Sequence, residues 1–528
     1  MRERLISLAL LVGMASLLAA GSVLVAVHHD GIDDAYISYR YAGNLARGYG
    51  LVFNPGERVE GYSNLLYVLM LAPAYKLGVE GAGIYRFSVG LNILAATAVL
   101  ALLWSRLRRR FGGRAALAGG LLFALCPPIW CWTSSGMESM WVLLFQVVAW
   151  VAVDRLVEEG DRRMVVPATA SAVLMVVMRA DGFVVPVLLA LYLLVRRQWK
   201  PACLLGAASG VALLAVVLWQ WRYYGQAIAN PYYVKVAGPV TARLWQAVKT
   251  LVGSRQMWLY WLAVGLYAGD AISGWVRARE PARMPVGVFM AAGLIAYYLY
   301  IGGDFFGERF LLFCVPLAIY GLFALRLIPA REWKLSGLWA LLAVLLYQFA
   351  VPTAGTARLS EVLLGQGKRM QGTYWAELGR FLRAREPGKR IAVDAAGRIP
   401  FFSGLYAIDM LGLCDKHIAH VPARGEFMTG HGKHDARYLL RRNPDLIAAW
   451  SMDEECNLAY GLVRRRWEPT YAVKYMLYAE NLSIPAGWPY VVEVRKTSPA
   501  GTALLFRRGY RYVVLERRAR TEPPRKRS

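Results

Sequence analysis

The sequence predicts a mainly α, polytopic membrane protein of about eleven spans, followed by a C-terminal α/β domain on the outer side of the bilayer. Three observations predict it. Apolar side chains make up 57 % of the 528 residues and charged ones only 18 %, and the mean hydropathy is +0.36, more apolar than an ordinary globular domain. Up to residue 353, apolar runs alternate with short Arg- and Lys-rich clusters, which is the pattern of membrane topology. From residue 354 the hydropathy falls, and short apolar runs are punctuated by Gly and Pro, as in strands and turns. The formal charge of +26 is therefore read as loop anchoring plus a basic region near anionic headgroups or glycan, with no nucleic-acid partner.

The candidate spans are residues 5–27, 84–104, 114–132, 137–157, 164–180, 182–196, 201–221, 257–276, 284–301, 309–328 and 335–353. A bilayer-crossing helix needs about 20 apolar residues. The first run begins with Arg2 and Arg4, and no clean small-x-small site precedes the polar stretch that follows. It reads as an uncleaved signal anchor. A further apolar stretch, 62–79, contains Pro73 and Lys76 and is read as an interfacial or re-entrant helix. With that helix left out of the count, the basic clusters at 106–110, 162–163, 196–200, 277–283 and 331–334 all face the cytoplasm, as the positive-inside rule requires. The N-terminus is then cytoplasmic and the C-terminal domain outside. The expected units are a transmembrane domain, 1–353, with its first external loop at 28–64; an α/β domain, 354–515; and a disordered basic tail, 516–528.

This topology gathers the polar motifs on one side. The outer ends carry DDAYISYRYAGN (33–44), FNPGERVEGYSN (53–64), TSSGMES (133–139), RADG (179–182), RYYGQAIANPYYVKVAG (222–238) and GGDFFGERF (302–310). The inner loops hold little except Arg and Lys. An enzyme with an extracytoplasmic site predicts that asymmetry. A transporter predicts polar groups near mid-bilayer and a repeat between halves, and neither is visible.

Each motif has a chemical and a structural reading. Asp33 and Asp34 supply a carboxylate that can take a proton from an attacking hydroxyl, and a pair of them can share a divalent metal. They can equally cap the helix that follows, whose N-terminal end favours anions. Tyr36, Arg40 and Asn44 share one face of that helix, and aromatics with polar tips also populate membrane interfaces. Arg179 and Asp181 form an ionisable pair at the end of a short apolar run, either a functional site or a salt bridge. After Asn230-Pro231, Lys235 with Tyr232 and Tyr233 offers a cation and hydroxyl donors for a lipid-linked phosphate, or a lysine resting on headgroups. Asp304, Glu308 and Arg309 sit on a Gly-rich loop fit to touch a sugar or to order itself by an ion pair. Glu138 is a polar group at a helix start.

Residues 389–413 read as strand, short helix, strand, and YVVEV, ALLF and YRYVVLE (510–516) as further strands. No CxxC pair occurs; Cys414 and Cys456 fall where a disulfide is permitted. The pairs HIAH (417–420) and HGKH (431–434) lack partners for zinc and read as surface histidines. Walker, GxSxG and GxGxxG motifs are absent, which argues against a nucleotide-sugar donor.

The stretch DDAYISYRYAGNLARGYGLVFNPGERVEGYSN (33–64) resembles the first external loop of bacterial GT-C glycosyltransferases, above all the terminal arabinofuranosyltransferases of mycobacterial cell-wall synthesis. SGMES, RADG, NPYYVK, GGDFFGERF and FFSGLYAIDMLGLCDKHIAH (401–420) extend the resemblance in the same order along the chain. It implies a GT-C-like helical domain in a bacterial plasma membrane. It also implies a polyprenyl-phosphate-linked sugar donor, inversion at the sugar, and Asp33 or Asp34 as base. Arg179, Lys235, Arg40 and Tyr233 are then expected at the donor phosphate. Tyr36, Glu60, Asn64, Glu138, Asp181, Asn230, Asp304 and Arg309 are expected to contact substrate. No cofactor beyond a divalent metal is expected, and the acceptor is an extracytoplasmic glycan, lipid or protein. The segment after GERV reads EGYSN, a departure from the arabinosyltransferase pattern, so arabinofuranose is only a first expectation. The competing readings are a flippase of polyprenyl-linked sugar and a catalytically inactive glycan-binding protein of the envelope.

Overall fold

The computed structural model describes residues 2–29, 31–236, 238–278, 284–327, 347, 372–424, 430–451, 457–477 and 511–518. The expected span at 335–353, the expected strands at 490–494 and 503–506, Cys456 and most of the basic tail lie outside the described residues.

Among the described residues, fifteen α-helices come first: α1 (Arg2–His29), α2 (Asp33–Ala46), α3 (Leu65–Lys76), α4 (Ala82–Phe111), α5 (Gly113–Ala124), α6 (Pro127–Thr133), α7 (Ser139–Glu158), α8 (Val165–Met178), α9 (Val184–Val195), α10 (Trp199–Tyr224), α11 (Asn230–Lys235), α12 (Val240–Gly253), α13 (Trp258–Ala278), α14 (Val286–Ile301) and α15 (Cys314–Ala324). Leu5–Val27, α4, α7 and α10 are long and apolar enough to cross a membrane. Their outer faces are apolar too: Leu8, Val12 and Val27 on α1, and Val211, Leu214 and Trp221 on α10, are all more than half exposed. A water-facing helix would not leave such a stripe bare. This is a membrane protein.

Of the expected eleven spans, several are seen as long apolar helices. Among the described residues four helices qualify by length and composition, or five if α5 and α6, which meet at 55°, are one bent span. The expected spans at 164–180 and 182–196 are the 14-residue α8 and the 12-residue α9. At ~1.5 Å per residue they reach only about 21 and 18 Å, short of a hydrocarbon core of about 30 Å. Apolarity alone does not register where a helix must break. Here the break is Arg179–Phe183: a Cβ on Gly182 would lie 1.8 Å from the Met175 carbonyl, so only glycine turns the corner.

Beyond α15 the described residues include a five-stranded sheet, β1 (Arg390–Val393), β2 (Tyr406–Asp409), β3 (Leu446–Ser451), β4 (Tyr471–Leu477) and β5 (Arg511–Arg517), in the order β2-β1-β3-β5-β4. β1 runs parallel to β2 and β3, and β5 is antiparallel to β3 and β4. Helices Gly372–Arg385 and Arg398–Ser403 cover one face. That face is continuous with the helical core: Val393, Ala395 and Ile399 join Tyr36, Leu71 and Val99 in one buried cluster. A second cluster, with Ile408, Ile447 and Val513, fills the other face. The segment after the C-terminal end of β1 meets the start of α2 through Gly397 and Arg398, the end at which parallel strands commonly present their sites.

Candidate active site

Asp33 and Asp34 open α2 without a side-chain cap, in the turn whose free N–H groups favour acids. Being adjacent on a helix, they point different ways. Asp33 accepts the backbone N–H of Gly397 at 3.0 Å and of Arg398 at 2.8 Å, with the Arg398 guanidinium at 4.0 Å. The approach is so close that a Cβ on Gly397 would lie 1.9 Å from the Asp33 carbonyl oxygen. Burial raises the Asp33 carboxyl, against the pull of Arg398 and the two N–H groups. Asp34 instead faces Lys235, Oδ2 to Nζ 3.8 Å, with 24 % of its side chain exposed. The two carboxylates thus have different partners. Among the described residues no group of three or more His, Cys, Asp and Glu side chains gathers as a metal site.

Two residues expected to touch substrate are committed to holding the first loop against the sheet domain. Arg40 donates from Nε to the Phe53 carbonyl at 2.7 Å, from Nη2 to Asn54 and the Leu405 carbonyl, and from Nη1 to the Pro400 carbonyl. Burial lowers its guanidinium to about 10. Tyr36 is 3 % exposed, its ring against Phe401, Phe402 and the Arg398 guanidinium. Asn54 completes the join through both its donor and its acceptor to Ala407.

The Arg179–Asp181 pair comes together with Glu138 and Asn64, which lie far from it in sequence. Arg179 forks onto Asp181, Nε to Oδ1 at 2.7 Å and Nη2 to Oδ2 at 3.1 Å, and its Nη1 meets Glu138. Asn64 donates to Glu138 at 2.8 Å and accepts from Ser38 at 3.0 Å. Ser38 stands one turn beyond Asp34 on α2, so the chain of contacts runs from the Asp34 face to Arg179. Burial pushes the Glu138 and Asp181 carboxyls up, but Arg179 and Arg309 outweigh it and both end below the usual range. Asp304 and Arg309 pair at 2.9 Å, both nearly fully buried. A pocket beside them has Arg179, Asp181, Tyr297 and Arg309 at its polar end and Val142, Leu143, Val185 and Leu294 along its walls.

On α11, Tyr233 lies against the His420 ring at 4.4 Å, and Gln226 bonds the same imidazole at 3.2 Å. Asn230 begins the helix with its N–H on the Glu60 carbonyl at 3.1 Å, and Glu60 accepts from Gln220 at 2.8 Å. His420, read above as a surface histidine, thus docks the sheet domain onto the helix that carries Lys235. Gly397, Arg398, Ser38, Gln220 and Tyr297 were not singled out from the sequence. Only Ser38 had a signal there, its four-residue spacing from Asp34.

A family model described as a domain of unknown function (DUF8728) matches residues 362–515. Over 220 residues the chain is 28 % identical to the terminal β-(1→2)-arabinofuranosyltransferase of Mycobacterium tuberculosis, a match covering 39 % of this chain and 35 % of that protein. The chain thus spans about a third of that curated relative. Among solved structures it is similar to ArnT of Cupriavidus metallidurans bound to undecaprenyl phosphate, with TM-score 0.53, 14 % identity, and coverage of 98 % of this chain and 99 % of that one. It is also similar to the archaeal oligosaccharyltransferase AglB of Archaeoglobus fulgidus, in complex with an inhibitory peptide and a dolichol-phosphate. There the TM-score is 0.52, the identity 12 %, and the coverage 77 % and 64 %. Both have the GT-C glycosyltransferase fold, and this chain shares it.

Proposed function

We propose that the chain is a membrane glycosyltransferase that moves a sugar, arabinofuranose in the first instance, from a polyprenyl-phosphate donor to an extracytoplasmic glycan, lipid or protein. The observation that carries this reading is the Asp34–Lys235 pair, set in a GT-C fold where the first loop, α11 and the sheet domain meet. Asp34 is the base and Asp33 the residue that anchors it. The acceptor oxygen attacks the anomeric carbon from the face opposite the phosphate. The C–O bond to phosphate breaks with its electron pair going to the phosphate, and the hydroxyl proton passes to Asp34. Lys235 offsets the charge of the departing phosphate.

A lipid phosphate is already an activated leaving group, so positioning and charge supply most of what the reaction needs. Arg40 and Arg179 have their N–H groups on protein oxygens and are assigned to support, with Lys235 and Tyr233 left to meet the donor. The pocket with apolar walls beside Arg179 suits a polyprenyl tail. The active face lies outside a bacterial plasma membrane, with the N-terminus in the cytoplasm. The test supplies membranes containing the chain with labelled polyprenyl-phosphate arabinose and a cell-envelope extract. New glycosidic product supports the reading. Label that crosses the bilayer with no bond formed would make the chain a flippase instead.

A further inference from the structure

Glu60, Gln220 and Asn230 form a buried polar group under the first loop, 1 %, 6 % and 0 % exposed. Glu60 Oε1 accepts from Gln220, and the Asn230 N–H bonds the Glu60 carbonyl. Glu60 Oε2 and both side-chain polar atoms of Asn230 have no hydrogen-bond partner among the described residues. Such atoms are rare in a folded interior, where polar groups are nearly always matched. Three in one place leave hydrogen-bonding capacity that a ligand can meet. Tyr62 and Tyr224, with hydroxyls 3.1 Å apart, wall one side, and Tyr41 packs on Tyr62 at 4.8 Å.

We propose that Glu60, Gln220 and Asn230 recognise the hydroxyl groups of the transferred sugar; this deepens the glycosyltransferase reading and rests on it. A carboxamide offers both donor and acceptor, and so does a protonated carboxyl, which matches hydroxyls that donate and accept at once. Burial pushes the Glu60 carboxyl up to about 7, which favours its uncharged form and suits a neutral ligand. The position also fits. Asn230 precedes Lys235 by about 7.5 Å along α11, at ~1.5 Å per residue, roughly the reach of one sugar ring from the donor phosphate. Gly61, next to Glu60, closes on Cys414, where a Cβ would lie 2.4 Å from Sγ, and Cys414 is within the field of Asp34.

The test measures binding of polyprenyl phosphate with and without arabinose to the detergent-purified full chain. In the wild type the sugar strengthens binding. Glu60→Ala and Asn230→Ala remove that gain by about tenfold or more while binding of the bare lipid phosphate, which also reports a folded chain, stays unchanged. Glu60→Gln keeps part of it. A gain that persists in both Ala variants overturns the proposal, as does a wild type that binds the two lipids equally. Transfer by the wild type is read separately. If it transfers and the gain ignores Glu60, only the subsite falls. If it binds sugar through Glu60 but forms no product, the reaction falls and the subsite stands.

Discussion

The Nζ of Lys235 stands 3.8 Å from Oδ2 of Asp34, with 27 % and 24 % of the two side chains exposed, while Asp33 turns away onto Gly397 and Arg398. Adjacent carboxylates in one helical turn thus have separate surroundings. One is built into the join between domains, and the other faces a cation at an accessible surface. On the proposed reading, that division gives the chemistry to Asp34 and the scaffolding to Asp33.

Lys235→Met should weaken binding of undecaprenyl phosphate by roughly 10- to 100-fold, the range expected for one charge-assisted contact. Lys235→Arg should restore part of it. Competition binding reads both. Unchanged affinity in the Met variant would move the phosphate elsewhere.

Gly397→Ala places a methyl group 1.9 Å from the Asp33 carbonyl and must push the sheet domain off α2. A loss of about 1–3 kcal/mol in stability is expected for such overpacking. Asp34 should lose its placement with it. Turnover should fall further than the KM for donor rises, as measured by steady-state transfer alongside thermal melting.

Arg179→Ala leaves Glu138, 1 % exposed, and Asp181, 18 % exposed, without the cation that bonds them directly. Breaking a buried pair on one side costs ~3–5 kcal/mol. Adding Glu138→Gln to Arg179→Ala should recover part of the loss, giving a coupling of ~1–3 kcal/mol in a double-mutant cycle. Strict additivity would show that the two do not act as one unit.

Stability should fall as pH rises from about 5 to about 7.5. The Glu60 carboxyl is raised by burial to about 7, against about 4.3 for an unfolded glutamate. Between those values the folded chain holds a proton that the unfolded chain has released. Stability from this group is therefore full below the window and declines through it, by up to about 1.4 kcal/mol per pH unit. Asp409 and Asp394, raised by burial to about 7 and about 6, add slopes of the same sign. Glu60→Gln removes only its own share, so the variant's melting temperature should vary less with pH than the wild type's.

The helical character and the first loop were legible in sequence because apolar runs and a long polar block are local signals. The contacts that define the site were not. Arg40 on one face of α2 reads equally as a phosphate ligand or a strut, and only the Pro400 and Leu405 carbonyls, some 360 residues away, decide it. Arg179 and Asp181 are visibly paired two residues apart, yet the third member, Glu138, comes from another helix start. Gly397 carries no pattern at all; its need for a bare Cα arises from where Asp33 happens to dock. Hydropathy likewise sums over 164–196 but cannot see the corner at Gly182, so how short the two helices of that stretch would be was not legible either.

The most direct test compares sugar transfer in membranes holding equal amounts of the wild type, Asp34→Asn and Asp33→Asn, given labelled polyprenyl-phosphate arabinose and envelope acceptor. A general base contributes roughly 10²–10⁴-fold. Asp34→Asn should lose transfer on that scale while still binding undecaprenyl phosphate. Asp33→Asn should retain measurable transfer with a lower melting temperature. Normal transfer by Asp34→Asn would contradict the account.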